Sequence, residues 1–405
     1  MELVTYPKNT KIYTFNEHLD KFFYLVDGKV LVTLHSKSEI FEHGTFGEWA
    51  LFNMPSEEEI TVVDGEATFY ILKPEEIFNV ENYGKILKAM ISSISKRLLL
   101  IDAELSQSQS LPEYLGPDRM RYFKRTYPNS SRLTDNFFQD FLSLKRFYTN
   151  GYYREAFEIL LKIMSYTISE DLKKELMVWH TLLSIIIEPE KAELHFRRLN
   201  PKEYSDSLSY AYLVSFFKGG QKQELLEMYM KAGLYLPPYT IVTTEGEIAS
   251  EGYLLLKGYL KAVKLYEDRE VLLSIVKPGE FVGESALIES RTRMVTLYSI
   301  SPAAIIPINC ESIQKTIQSN PNFILKLCES QIKRIKQVKE LINLKKSIGS
   351  VQRINLAVKY FSDIIDKANI TVKDISSISD CSYEEVIEEL RKKGFKISMS
   401  GVISI

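Results

Sequence analysis

Cysteine is scarce in this chain: Cys310, Cys328 and Cys381 are the three thiols of 405 residues, far apart and with no Cys-x-x-Cys pair. That spacing excludes a disulfide framework, a zinc finger and a cysteine-held iron–sulfur cluster. Histidine is also sparse. His18, His35, His43, His180 and His195 follow no ligand spacing, so no metal centre is expected. No apolar run reaches the length of a membrane span, so no membrane partner is expected. The opening stretch MELVTYPKNTKIYTF lacks the basic-then-apolar layout of a secretion signal, which makes the cytoplasm the expected location. A net charge of −2 gives no global attraction to nucleic acid, so any basic footprint must be local. Neither a paired acid and base, a nucleophile with its base nor a P-loop appears, and the chain is expected not to be an enzyme.

What is present points to several folded units, because 405 residues exceed one ordinary domain and 45% hydrophobic with 26% charged residues is a soluble, folded composition. The strongest organising signal is an internal duplication. FFYLVDGKVLVTL (Phe22 to Leu34) and EGYLLLKGYLKAVKL (Glu251 to Leu265) both alternate apolar and polar residues around a glycine, Gly28 and Gly258, which predicts two β-hairpins. Each is followed by a glycine-rich turn, HGTFGEWALF and PGEFVGESALI, then by more strand-like sequence and a long helix. Many short strands with turn punctuation suggest antiparallel barrels or jelly rolls, one per copy.

The two closing helices carry an apolar seam. Leu87, Ile91, Ile94, Leu98, Ile101 and Leu105 alternate spacings of four and three, and Ile324, Cys328, Gln331, Ile335, Val338 and Ile342 repeat the pattern with one polar interruption. Two readings follow: a helix laid on its own barrel, or a dimer interface, formed between chains or between the halves of one chain. A homodimer is expected.

Between the copies the period becomes helical. FLSLKRFYTNGYYREAFEILLKI and YAYLVSFFKGGQKQELLEMYMKA match at aromatic, glycine and small positions, and Asn150-Gly151 corresponds to Gly219-Gly220. The segment resembles tetratricopeptide-type helical hairpins, although a plain helical spacer fits as well. A hairpin array would offer a concave face to a peptide or protein partner, with Tyr148, Tyr152, Tyr153 and Phe157 as candidates for that face.

GESALIESRTR, from Gly283, resembles the phosphate-binding cassette of the cyclic-nucleotide-binding domain family: Gly-Glu-x-Ala-Leu, a short loop, then arginine. An arginine fork and backbone N–H groups suit a cyclic phosphate monoanion, and a carboxylate suits the ribose hydroxyl beside it. The resemblance implies Glu284 on the ribose 2′-hydroxyl, Arg293 on the phosphate, and Gly283, Ser285 and Ala286 as backbone donors. A cyclic nucleotide is thus the one cofactor to expect, at the second barrel. Met294 and Val295 depart from the small or hydroxyl residues usual after the arginine, and Arg291 competes for its role. The first copy, GEWALFNMPSEEEITV, keeps Gly47, Glu48, Ala50 and Leu51 but brings the acid run Glu57, Glu58, Glu59 to the arginine position, where it would repel a phosphate. That copy is expected to be structural.

The last sixty or so residues read as an amphipathic helix (VQRINLAVKYFSDIID), two helices joined by a tight turn at Ser379 to Cys381, and a short hairpin (KISMSGVISI). Ser382 is a natural N-cap for the second of the two crossed helices. Barrel, long helix and winged helix-turn-helix in that order resemble the catabolite-activator and FNR regulator family over Tyr239 to Ile405. The resemblance implies double-stranded DNA as partner, with Ser382, Tyr383 and Glu384 toward bases and Arg391, Lys392, Lys393 and Lys396 toward phosphates. Glu385, Glu388 and Glu389 stand where carboxylates would face phosphates. Eight basic residues against Glu329 and Glu340 between Lys326 and Arg353 offer a compensating positive stretch, or a solvated helix face.

The sequence therefore predicts an α+β multidomain chain: a degenerate cyclic-nucleotide-binding-like barrel with its long helix over 1–110, a helical repeat-like segment over 111–237, a second such barrel with a dimerisation-type helix over 238–346, and a winged helix-turn-helix over 347–405. The expected function is a ligand- or partner-switched transcription regulator. The alternative is a non-enzymatic adaptor or scaffold that binds a partner protein through its helical middle, with vestigial nucleotide pockets.

Overall fold

The computed structural model describes residues 2–79, 83–107, 118–205, 207–219, 224–249, 251–266, 269–283, 291–309, 311 and 321–405. Apolar–polar alternation makes the first unit a sheet: β1 (Glu2–Pro7), β2 (Lys11–Tyr13), β3 (Phe22–Leu34), β4 (Lys37–Phe41), β5 (Gly44–Phe46) and β6 (Glu58–Leu72). The six strands are antiparallel and ordered β1-β6-β3-β4, with β2 on β6 and β5 on β3. Their inward residues, among them Phe23, Val30, Phe41, Val62 and Phe69, form a core of their own. The chain then enters helix α1 (Tyr83–Gln107).

The hairpin expected at Gly28 is instead one long strand, β3, that runs through the glycine with register shifts on either side. Gly28 has φ 97, and a Cβ there would lie 2.4 Å from the Glu66 carbonyl oxygen, so only glycine lets the strand press this close to its neighbour.

The middle is helical: α2 (Arg119–Thr126), a two-residue strand β7 (Ser131–Arg132), α3 (Asn136–Thr149), α4 (Tyr153–Met164), α5 (Glu170–Ile187), α6 (Pro189–Arg198), α7 (Pro201–Tyr204), α8 (Leu208–Lys218) and α9 (Glu224–Ala232). Neighbouring helices pack as hairpins, but α9 returns against α3, so the segment closes on itself rather than opening as a concave array. This corrects the expected aromatic docking face. Tyr148 meets Tyr153 and Trp179 edge-on at 5.8 and 5.3 Å, Phe157 packs on His180 at 5.5 Å, and only Tyr152 of the four stands out, 56% exposed. Three of the four aromatics are half-buried because α3, α4 and α5 pack their apolar faces together.

The second β unit consists of β8 (Leu234–Leu236), β9 (Thr240–Thr243), β10 (Ile248–Ala249), β11 (Glu251–Lys257), β12 (Leu260–Leu265), β13 (Glu270–Val276), β14 (Phe281–Val282), β15 (Arg291–Thr292), β16 (Thr296–Ser299) and β17 (Ala303–Asn309). One sheet runs β14-β11-β17-β8 and the other β13-β12-β16-β9-β7, which makes the unit a barrel-like sandwich. The hairpin expected at Gly258 is therefore also corrected, since β11 and β12 lie in different sheets. Gly258 has φ 79 and its Cβ would fall 2.2 Å from the Pro302 carbonyl oxygen, the same tight corner as Gly28 in the first unit. Both glycines thus sit where a Cβ would strike a neighbouring backbone carbonyl.

Helix α10 (Pro321–Lys345) closes the second unit and packs along α1. All six seam residues of α1 and Ile324, Cys328, Gln331, Ile335, Val338 and Ile342 of α10 are buried within the one chain. Gln331 Nε2 donates across to Ser95 Oγ at 2.8 Å. The homodimer interface expected at these residues is corrected accordingly: the seam is closed between the halves of one chain. Charge reinforces this choice of partner. Lys339 pairs with Glu57, Lys346 with Glu104 at 3.4 Å, and Arg334 lies 4.0 Å from Asp102. Basic α10 thus faces acidic groups of the first half, a pattern that disfavours α10 against a copy of itself. The positive stretch from Lys326 to Arg353 is spent largely inside the chain: Lys333 pairs with Glu329 at 2.6 Å, and Arg353 donates to the Ser379 carbonyl at 2.7 Å.

The C-terminal unit comprises α11 (Ser350–Phe361), α12 (Val372–Ser379), α13 (Tyr383–Lys392) and a hairpin of β18 (Lys396–Ile397) with β19 (Ile403–Ser404). Val372, Ile375, Ile378, Val386 and Leu390 are buried between the helices. Two capping boxes start α12 and α13: Thr371 with Asp374, and Ser382 with Glu385.

Candidate functional site

The turn after β14 and the strand β15 bring Gly283 and Arg293 together: a Cβ on Gly283, whose φ is 79, would sit 2.5 Å from Arg293 Nη1. Arg293 is buried, donates from Nη2 to the Glu251 carbonyl at 2.6 Å, and holds its guanidinium 5.5 Å from the Tyr253 ring centroid. Tyr253 in turn donates to Glu251 Oε1 at 2.6 Å, and burial, then Glu251, pushes its phenol up. Glu284, Ser285 and Ala286 lie outside the described residues, as does the side chain of Arg291.

Arg293 lines a small cavity of about 50 Å³. The other walls include Tyr253 and Arg334 from the second half and Ser95, Leu99 and Asp102 from α1. The first half therefore supplies one wall of the second half's pocket. Arg293 and Arg334 bring positive charge to the cavity lining, and Asp102, 4.0 Å from Arg334, brings a negative one. Met294, which departs from the family pattern, is part of the lining.

The corresponding place in the first unit is filled by the protein itself. Gly47 adopts φ 75 and delivers Glu48 to the interior, and Arg97 reaches in from α1, donating from Nη2 to Glu48 at 2.7 Å and from Nη1 to Glu58 at 2.5 Å. Tyr13 and Trp49 also donate to Glu58, at 2.6 and 3.2 Å. Burial weakens the charge of Arg97, but Glu48 and Glu58 outweigh it and hold the guanidinium above the usual arginine value. The acid run is thus divided among three cations: Glu57 to Lys339, Glu58 to Arg97, Glu59 to Lys11 at 2.8 Å.

On the C-terminal unit, Tyr383, Glu384, Arg391, Lys392, Lys393 and Lys396 are all exposed. Ser382 serves as the cap of α13, accepting from the Glu385 N–H at 3.2 Å, while Glu385 accepts from the Ser382 N–H at 2.9 Å and its carboxyl is held low by that bond. Lys392 pairs with Glu388 at 2.7 Å and Lys393 approaches Glu389 at 4.0 Å, so two carboxylates that would face a phosphate are screened by their own neighbours.

The unit is anchored to the second β unit. Lys261 on β12, buried, donates to Asp374 of α12 at 2.6 Å, and Ser377 Oγ accepts from the Leu272 N–H at 3.1 Å. Burial opposes the charge of Lys261, but Asp374 and Glu270 raise it. Sequence reasoning missed both Lys261 and Arg97. Their signal is a lone basic residue on an otherwise apolar face, which names a buried cation without naming its partner.

Residues 234–320 match the cyclic nucleotide-binding domain family. The chain is 24% identical over 166 residues to the cAMP-activated global transcriptional regulator CRP of Salmonella typhimurium and of Klebsiella aerogenes, an alignment covering 37% of this chain and 76% of each relative. Over this stretch the chain is similar to the CRP/FNR type of regulators. Solved structures of that type align as well. The c-di-GMP responsive global regulator CLP of Xanthomonas campestris is 21% identical, with 42% of this chain and 92% of that one covered at a TM-score of 0.36. A CRP/FNR-family transcriptional regulator of Thermus thermophilus, TTHA1359, is 15% identical, with 43% and 93% covered at a TM-score of 0.37. The similarity to CRP thus involves little more than a third of the chain, and the remainder holds the first β unit and the helical middle.

Proposed function

We propose that the chain is a DNA-binding transcription regulator in which two cyclic-nucleotide-binding-like barrels, 1–110 and 238–346, pair within one polypeptide, bridged by the helical segment 111–237, and carry a single winged helix-turn-helix, 347–405. The observation that carries this reading is α13: it lies on the surface with Tyr383 and Glu384 near its start and Arg391, Lys392 and Lys393 at its end, while α12 behind it is pinned to the second β unit through the buried Lys261–Asp374 pair. Tyr383 and Glu384 meet base edges, and the lysines with Lys396 of the hairpin meet phosphates. Because the long-helix seam is internal, one chain presents one reading head and covers one half-site.

The signal enters at Arg293. An anionic ligand, by analogy with the cAMP-activated CRP relatives a cyclic nucleotide, has its phosphate on Arg293 and Gly283, its ribose on Glu284, and backbone donors at Ser285 and Ala286. The small cavity means that such a ligand must displace Met294 or move α1 against the barrel, and that displacement is the switch.

Two measurements test the reading. Duplexes selected from a random library are titrated by fluorescence anisotropy at several salt concentrations. Lys392→Glu with Lys393→Glu is expected to weaken all of them and flatten the salt dependence, and Tyr383→Ala to blur base preference. DNA binding indifferent to both changes, or no binding, overturns the DNA-reading role. Calorimetric titration with cyclic AMP and cyclic GMP is expected to give heat that vanishes in Arg293→Ala; no heat with either removes cyclic nucleotides as the signal.

A further inference from the structure

Helix α2 has two unlike faces. Arg119, Arg121, Lys124 and Arg125 are four of its eight residues, and none of the other four is acidic. Tyr122 and Phe123 are buried, with Phe123 edge-on to Tyr298 of β16 at 5.1 Å. Arg119 turns the same way, its Nη1 2.9 Å from where a Cβ on Gly246 would stand. On the opposite side Arg121, Lys124 and Arg125 are exposed, at spacings of three and four that share one helix face. Arg125 lies 5.9 Å from the Tyr122 ring centroid. Arg121 and Lys124 have no ion-pair partner among the described residues. The basic residues of α10, by contrast, meet acidic groups of the first half.

A polar relay fixes this helix beside the C-terminal unit. Tyr127, the residue after α2, stacks on Tyr239 at 4.4 Å and donates to Glu270 Oε1 at 3.0 Å, while Tyr298 donates to the other Glu270 oxygen. Glu270 Oε2 lies 3.9 Å from Lys261, the buried lysine that donates to Asp374 of α12. Asp374 in turn accepts from the Thr371 N–H at 2.9 Å, and Thr371 bridges Val402 of the C-terminal hairpin. The end of α2, strand β12, the start of α12 and the hairpin therefore form one continuous joint. The carboxylates within it are turned inward onto these donors, and Lys373, exposed in the first turn of α12, adds a further cation at its surface.

We propose that the exposed face of α2 is a second phosphate-binding surface, which takes the DNA backbone beyond the half-site read by the C-terminal unit. The inference rests on the DNA-reading function proposed above and adds to it a contact from the helical middle. Cations presented on one face of a helix, with no carboxylate among them, suit the uniform charge of a duplex backbone. An acidic protein partner would also call for an apolar anchor, and no large apolar side chain of α2 is exposed. Because α2 and the hairpin hang on the same Glu270–Lys261–Asp374 joint, a movement of that joint changes the spacing of the two surfaces and hence the length of DNA held.

The test compares two duplexes on the full chain by fluorescence anisotropy over a range of salt: a selected site trimmed to the bases that the C-terminal unit reads, and the same site lengthened by about one helical turn, ~10 base pairs, on either side. The expected result is tighter binding of the longer duplex. Arg121→Gln with Lys124→Gln should weaken that duplex about tenfold or more at low salt and lower its salt slope by about two, with the trimmed duplex bound as before. The charge-keeping pair Arg121→Lys with Lys124→Arg should bind both duplexes as the unaltered chain does, which separates lost charge from lost fold. If the unaltered chain binds neither duplex, the DNA-reading function falls and this inference with it. If it binds both and the glutamine pair changes nothing, or weakens both duplexes alike, the reading head stands and the α2 surface is overturned.

Discussion

Replacing Arg97 by alanine isolates the ion-pair cluster at the heart of the first unit. Arg97 is 1% exposed and is the only cation, among the described residues, bonded to Glu48 and Glu58; Glu48 Oε2 and Glu58 Oε2 have no hydrogen-bond donor there. Removing one partner of a buried ion pair costs about 3–5 kcal/mol, because the charge left behind is uncompensated. Two such charges remain here, so the upper end applies, roughly three and a half powers of ten in the folded-to-unfolded ratio. The deficit has a sign in pH. Without the guanidinium the carboxylates are relieved only by taking up protons in the folded state, so the loss is greatest near neutrality and shrinks as the pH falls. Trp49 donates to Glu58 and reports locally, so urea titrations followed by its fluorescence in a Trp179→Phe background, at neutral and mildly acid pH, read the first unit itself. A loss below about 1 kcal/mol, or one that grows on acidification, would refute the account; the triple change Arg97→Met, Glu48→Gln, Glu58→Gln should recover most of the loss.

The charge match between the halves predicts that Lys339→Glu and Glu57→Lys each lower the melting temperature and that the double swap restores much of it; strictly additive losses would mean that the pair contributes nothing. Lys261→Met leaves Asp374 buried without its cation, and hydrogen exchange in α12 should rise while exchange in the first unit stays unchanged. Burial, only partly opposed by Glu175, pulls Lys145 down to about 7, below its unfolded value of about 10.4. The unfolded chain then binds the extra proton between those two values, so this residue's contribution to stability rises with pH across that window. Lys145→Met should accordingly flatten the rise, as seen in melts from neutral to alkaline pH.

Much of this architecture was legible in the residues. The two heptad seams and the crossed helices at the C-terminus rest on local periodicity, and periodicity is where a sequence speaks most clearly. Gly283 and Arg293 were legible because the motif is nearly contiguous, and the Ser382 cap because its Glu385 lies three residues on. Gly28 and Gly258 were misjudged for a physical reason: a glycine with positive φ in an alternating run serves equally for a hairpin tip or for a corner pressed on a neighbour, and only the distant Glu66 and Pro302 decide. The acid run misled in the same way, since Lys339, Arg97 and Lys11 are far from Glu57, Glu58 and Glu59 in the chain. The aromatics of the helical middle were ambiguous because Trp179 and His180, which cover Tyr148 and Phe157, lie on α5, contacts that no local pattern encodes.

The pairing of α1 with α10 inside one polypeptide changes how the molecule behaves on dilution and under mutation. Two separate subunits find each other by mass action and part as concentration falls, whereas tethered halves meet at an effective concentration set by the chain between them. A cell holding few copies would still hold them fully assembled. A substitution also enters such a frame once rather than twice, so one half can fill its interior with an arginine ion-paired to its own carboxylates while the other does not, an asymmetry closed to an assembly of identical subunits.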